Sequence, residues 1–401
     1  MLACLPPLPI IVDYSRPGVW TLLEENRAIA TLKSYPDRVR RIVISGWNYN
    51  LDGVFDAIDC SFPALKIFEL FAAGNPGIGA SPARFEFPAT VLMDSATSLR
   101  RLELKNVFLK PLSHLLSSTT GLVDLTLHID IITPSLLAHL QGMPCLRSLD
   151  LQVQKFHSYT PGGLETSTER GDVVSLSRLT HFYFNGGNRG LEALVTGLSA
   201  PLLEDFKIHL KGDTTNFSHL SKFICDVEGQ FFAAQMKLSR EYLEISVLTH
   251  SHFIDEPARR ITMRDVWMRK GHICVALTAK ALTAKLATVE ELFLESPDSG
   301  PEGRPRRLSW PALLEDFSNV KILRVEHGLV LDVAQSLSDL VDLGLLPALE
   351  EIELHSATSR NADHAEHISD TQRAFKPFVT ARQQKGRPVK ISWNADLAPL
   401  M

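Results

Sequence analysis

Apolar positions along this chain recur in one short figure: an aliphatic or aromatic residue, two others, a second, one other, a third. It stands as Val39/Ile42/Ile44, Leu65/Phe68/Leu70, Leu99/Leu102/Leu104, Leu122/Leu125/Leu127, Leu146/Leu149/Leu151, Leu179/Phe182/Phe184 and Leu203/Phe206/Ile208. After a gap it returns as Val289/Leu292/Leu294, Val320/Leu323/Val325 and Leu349/Ile352/Leu354. Where the series is unbroken, matches lie roughly 23 to 34 residues apart, a spacing characteristic of repeat architectures. The last two apolar residues of each match are two apart, so they share one face of a short strand while the residues between them face the other way.

Between matches the apolar period lengthens to that of a helix. In "TPSLLAHLQGM", Thr133 is placed as an N-cap, Pro134 as the first helical residue, Leu136, Leu137 and Leu140 as an apolar stripe and Gly142 as the stop. "NRGLEALVTGL" and "DVAQSLSDLVDLG" repeat the arrangement. A strand–loop–helix–loop unit cannot bury its apolar face alone, so the units are expected to stack. The predicted fold is α/β: a leucine-rich-repeat-like solenoid with a curved parallel sheet, helices on the outer face and an irregular middle section. Residues 1–38 form an N-terminal strand–helix capping segment, with "LPIIVDY" as the strand and Thr21 and Glu24 as a capping box, and residues 39–401 form the solenoid. From about 211 to 275 the figure disappears. Strand-like alternation in "FFAAQMKLS", "EYLEISVLTH" and "RRITMRDVWM" predicts longer or antiparallel strands there.

Composition changes this picture little. The chain has 401 residues, 45% of them hydrophobic and 22% charged, with a net charge of −5, which argues against disorder and against a nucleic-acid-binding charge balance. Five scattered cysteines without a CxxC pair are expected to be reduced thiols, which points to a cytoplasmic or nuclear protein. The apolar start has no basic leader and is broken by prolines, so a buried strand is expected rather than a signal peptide. No run reaches the length of a membrane span, and the Asn216 sequon is expected to stay unmodified.

The segments "LPPLPIIVDY", "RVRRIVI", "FPALKIFEL", "SLRRLELKNV", "QFFAAQMKLSREYLEISVLT" and "ALTAKLATVEELFLE" together resemble the leucine-rich-repeat region of fungal F-box proteins. That resemblance implies the substrate-receptor part of an F-box-like ubiquitin-ligase component. In the family an F-box precedes the repeats and docks a ligase adaptor. No F-box-like segment occurs in this sequence, so adaptor binding is expected only where an F-box is supplied upstream. The chain departs from the family's Asn turn ladder: the corresponding positions are Val107, Asp130, Gln154, Gly187, Gly328 and Ala357. Buried loop amides must therefore find other partners. A structural or truncated repeat protein without a dedicated partner is the alternative left open.

Candidate chemistry is sparse. No GxSxG elbow, GK[ST] loop, HExxH or EF-hand loop is present, so no enzyme activity, cofactor or metal is expected. "DHAEHISD" (363–370) is read as a solvated helix start, "RRLS" (306–309) as a weak kinase-acceptor match and the basic stretch 373–390 as a terminal helix face. What remains is the second face of the sheet. Its columns contain Arg101, Glu103, Lys105, Asp124, Thr126, His128, Asp150, Gln152, His181 and Tyr183, the predicted partner-binding residues. The expected partner is a protein on the concave sheet face, with no nucleic acid and no membrane.

Overall fold

The computed structural model describes residues 8–14, 22–47, 56, 58, 60–73, 85–86, 92, 97–108, 112–129, 132–153, 173–211, 217–239, 242–249, 259–266, 274–296, 310–339, 341–355 and 364–394. The chain divides into two compact units, Met1–Leu203 and Glu204–Met401. Each unit is built on a mostly parallel sheet, and helices alternate with the strands along the chain.

In the first unit the strands are β1 (Ile10–Tyr14), β2 (Val39–Trp47), β3 (Ile67–Ala73), β4 (Phe85–Glu86), β5 (Arg101–Lys105), β6 (Val107–Phe108), β7 (Asp124–Ile129), β8 (Ser148–Val153), β9 (Val174–Ser175), β10 (His181–Gly186) and β11 (Leu198–Ser199). The helices are α1 (Leu22–Ser34), α2 (Leu112–Ser118), α3 (Pro134–Gln141) and α4 (Asn188–Thr196). The main sheet runs β1-β2-β3-β5-β7-β8-β10, every pairing parallel. The remaining short strands form two parallel pairs, β4 with β6 and β9 with β11.

The recurring apolar figure becomes rows of residues in register. Val12, Ile42, Phe68, Leu102, Leu125, Leu149 and Phe182 face one another strand by strand. All are buried. Tyr14, Ile44, Leu70, Leu104, Leu127, Leu151 and Phe184 make a second buried row. Burying one such side chain contributes about 1.5–3 kcal/mol, so each repeat adds the same apolar increment to one core. Strands β7 and β8 alternate strictly between buried and half-buried positions, the period-two pattern expected of them.

A second regularity lies just ahead of five of the strands. The N–H of the first apolar residue in the figure donates to the carbonyl three residues earlier: Leu65 to Phe62, Leu122 to Thr119, Leu146 to Met143, Leu179 to Leu176 and Leu203 to Ala200. Each of those earlier residues is buried. Pro63, Pro144 and Pro201 follow three of them, the turn position that a fixed φ favours. One carbonyl before each strand then accepts two N–H groups from the next repeat. Lys66 takes Arg100 and Arg101, Arg100 takes Val123 and Asp124, and Val123 takes Arg147 and Ser148. A carbonyl has two lone pairs, so this backbone ladder ties repeat to repeat without an Asn side chain.

Helix ends differ in detail from expectation. Thr133 does occupy the N-cap of α3, but its hydroxyl bonds Ser135 at 2.7 Å rather than a backbone N–H. Gly142 closes the helix at φ −75°, so it is not there for left-handed backbone. At Gly197 a Cβ would come within 2.8 Å of Leu137 Cδ1, so a larger residue there would have to displace the end of that leucine side chain.

The second unit contains β12 (Asp205–Lys211), α5 (Ser218–Asp226), β13 (Ala233–Leu238), β14 (Tyr242–Leu248), β15 (Arg260–Val266), α6 (Cys274–Leu286), β16 (Glu291–Glu295), α7 (Trp310–Leu314), β17 (Ile322–Glu326), α8 (Val330–Asp339), β18 (Glu351–His355), α9 (His364–Gln384) and β19 (Lys390–Asn394). Its order is β12-β15-β14-β13-β16-β17-β18-β19. The irregular stretch is thus a three-strand antiparallel meander laid into a parallel sheet, with β15 beside β12 and β13 beside β16. Helix α5 carries the chain past two strand positions, α6 carries it forward again, and the two helices pack on each other. Phe206 sits in this unit opposite Ile261, and both are buried. Met263, Ile245, Met236, Leu294, Val325 and Leu354 continue the apolar rows. The Asn216 sequon, the RRLS stretch, the Thr21 cap and most of the two Gly/Pro-rich loops lie outside the described residues.

Candidate functional site

The residues between the apolar rows project to the opposite face of the sheet. All ten predicted partner-binding residues stand on that face of the first unit. Arg101, Asp124, Ser148 and His181 form one column in register, and Glu103, Thr126, Asp150 and Tyr183 form the next. His128, Gln152 and Asn185 make a third. Strand spacing of about 4.8 Å makes each column a contiguous strip.

The early strands carry a ladder of charges. Arg101 Nη2 donates to Glu103 Oε2 at 2.8 Å, and its Nε lies 3.0 Å from Glu69 Oε1. Arg41 Nη2 donates to Glu69 Oε2 at 3.0 Å, and Lys105 Nζ reaches Glu103 Oε1 at 2.5 Å while lying over the Phe71 ring. Glu103 was expected to be an exposed column residue, but it is only 5% exposed, and Glu69 only 6%. Burial pushes the Glu103 carboxyl up, yet the hydrogen bonds from Lys105 and Arg101 outweigh it and hold the group below the ordinary carboxylate range. The Glu103 hydrogen bond, opposed by partial burial and helped by Glu69, holds the Arg101 guanidinium above its usual value. Arg41 and Glu69 were missed in the sequence because their repeats carry Val43, Ile67 and Phe71 on the same face, which breaks the polar pattern.

The later strands are built differently. Asp150 is half-buried, and burial pushes its carboxyl up to about 6 despite a hydrogen bond from Gln152 and the nearby Lys105 charge. Its Oδ1 and the Oδ1 of Asn185 are shut away from solvent and accept no hydrogen bond. His128 Nδ1 lies 3.4 Å from Asn106 Oδ1, and exposed His181 pairs with Thr180 Oγ1 at 2.8 Å. Tyr183 is half-buried beside Asp150. Among the described residues, no Lys or Arg stands on this face of β7, β8 or β10.

The second unit has its own polar face. Arg324 donates to Glu353 through Nε and to Glu291 through Nη1, both at 2.7 Å. His355 is buried beside the Phe293 ring, and burial lowers its pKa. Buried Ser246 and Thr262 pair through their hydroxyls at 2.9 Å. Burial, and then the charges of Arg264, Lys211 and Lys207, push His209 down to about 4. Lys285, nearly buried, donates to the Val227 carbonyl at 2.7 Å and so closes the end of α5. Among the described residues no group of three or more His, Cys, Asp or Glu is placed to hold a metal, and no helix is long and apolar enough to cross a membrane.

No family model matches the chain, and no curated protein is found similar to it. Among solved structures it is similar to a Bacteroides fragilis protein determined as a structural-genomics target, at 10% identity over 94% of this chain and 74% of that one, with a TM-score of 0.22.

Proposed function

We propose that this chain is a protein-interaction module of leucine-rich-repeat type, whose first unit presents the polar face of its sheet to a protein partner. The observation that carries this reading is the face itself: three registered columns of mixed polar side chains, backed by a continuous apolar core. Such repeat surfaces are rigid and extended, which favours docking of another chain. The finer reading, the substrate-receptor part of an F-box-like ubiquitin-ligase component, rests on the resemblance of the repeats. Under it the adaptor does not bind these repeats directly.

The ladder decides which variants test the proposal. Arg101 is exposed but serves two buried carboxylates, so its removal disturbs stability as well as binding. Tyr183→Ala and His181→Ala are the cleaner probes. Partners captured from native extract are re-tested as purified components against wild type and the double variant, alongside thermal melts of both. Direct binding that weakens at least tenfold with little change in melting supports the reading. Equal binding by two equally stable proteins moves the interface off this face.

A further inference from the structure

We propose that the later half of this face, centred on Asp150, receives a lysine or arginine side chain from an extended segment of the partner, an inference that rests on the interface reading above. Two acceptor atoms there, Asp150 Oδ1 and Asn185 Oδ1, have no donor. They lie on adjacent strands, because Asp150 is in register with Tyr183 and Gln152 with Asn185. A carboxylate drawn partly out of water without a cation beside it is costly, and an incoming cation offsets that cost. Asp150 as a whole is only half-buried, so its carboxylate can be approached from the open side of the face.

The surrounding charge specifies the donor. On the early strands each buried carboxylate holds two cations: Glu69 has Arg41 and Arg101, and Glu103 has Arg101 and Lys105. On β7, β8 and β10 the described face carries Asp124 and Asp150 with no Lys or Arg. The described cation that acts on Asp150 is Lys105, and it is committed to Glu103. The missing member of the ladder is therefore a cation. Tyr183, next to Asp150 in the column, offers an aromatic ring against which an ammonium or guanidinium group packs favourably.

The test is selection of twelve-residue peptides from a random display library on the full chain at neutral pH. Enriched peptides are expected to share a Lys or Arg at one position. Replacing that residue by Gln in the synthetic peptide should weaken binding to wild type at least tenfold, and binding to Asp150→Asn no more than twofold. Asp150→Asn keeps the shape and removes the charge, and its melt confirms folding. Enriched peptides without a common basic position, an equal Gln penalty against both proteins, or no enrichment at all would each overturn the proposal. Peptides lost with Tyr183→Ala but indifferent to Asp150→Asn reject the basic side chain while keeping the interface. Peptides indifferent to both reject the interface itself.

Discussion

Glu103 and Asp150 stand in one column of one sheet face, separated in register only by Thr126. Their carboxyls nevertheless shift in opposite directions, Glu103 below its ordinary range and Asp150 up to about 6. Burial acts on both and raises both. What differs is company: Glu103 accepts from Arg101 and Lys105, whereas Asp150 has Gln152 and an oxygen with no donor. A buried charge is tolerable only when it is paired. The buried carboxylates of the early strands are thus paired within the chain, and Asp150 has no cation of its own.

The strongest way to break the comparison is to destroy the register that places the two carboxylates in one column. Leu149→Ala, beside Asp150 and fully buried in the core row, should cost about 2–5 kcal/mol through lost burial and the residual cavity. Denaturant unfolding checks it, and a loss under 1 kcal/mol would mean that this row is not the core.

Removing the paired carboxylate comes next. Glu103→Ala should cost about 1–3 kcal/mol, because Arg101 and Lys105 lose a common acceptor in a largely buried position. A double-mutant cycle with Lys105→Ala should show coupling between the two. Additive losses would show that the ladder contributes no pairing energy.

The unpaired carboxylate should behave in reverse. The pKa of Asp150 in the fold lies above its ordinary 3.8, at about 6, so the native state holds the proton more tightly than the unfolded chain. Stability from this group is fully present below about pH 4 and is lost as pH rises through about 6. Asp150→Asn should stabilise the protein at pH 7 by about 1 kcal/mol, allowing for solvent screening of a half-buried group, and leave it unchanged near pH 4. A substitution that raises stability and weakens peptide binding marks a position kept for function rather than for the fold. Destabilisation at pH 7 would refute that reading.

In the second unit His209 gives the opposite slope. Its pKa falls from 6.5 to about 4, so its contribution is full above about pH 6.5 and lost as pH falls through 4. His209→Gln should flatten the acid limb of the stability profile by about 1 kcal/mol, again after allowance for screening. An unchanged acid limb would mean that His209 titrates normally. The smallest effect is expected at Lys385, which pairs at 2.9 Å with Asp342, whose side chain is 98% exposed. Breaking that pair should move stability by less than about 0.5 kcal/mol.

The repeat, the face on which each strand residue lies and the existence of irregular strands near 211–275 were legible because each is a local statement. Alternation with period two sends Leu125 and Leu127 inward and Asp124, Thr126 and His128 outward whatever the neighbours are. The turn ahead of several strands, in FPAL, MPCL and APLL, was not read from the sequence, because its buried first residue lies just upstream of the recurring figure.

Chain order is not spatial order, and that is where sequence reading stops. Nothing local says that β15 returns to lie beside β12 while β13 joins β16, because strand pairing is chosen by long-range hydrogen bonding and by which helices can cover the crossing. Nor does it say that Glu69 acquires two cations from the strands on either side. Arg101 and Lys105 reach Glu103 from its own strand, two residues away on either side, whereas only the register assembled in the tertiary structure brings Arg41 and Arg101 to Glu69. The sequence by itself determined the repeat, its strand-and-helix unit and the two faces of the sheet. The tertiary structure decided the pairing order and the two cations of Glu69, because both are set by contacts between residues far apart in the chain.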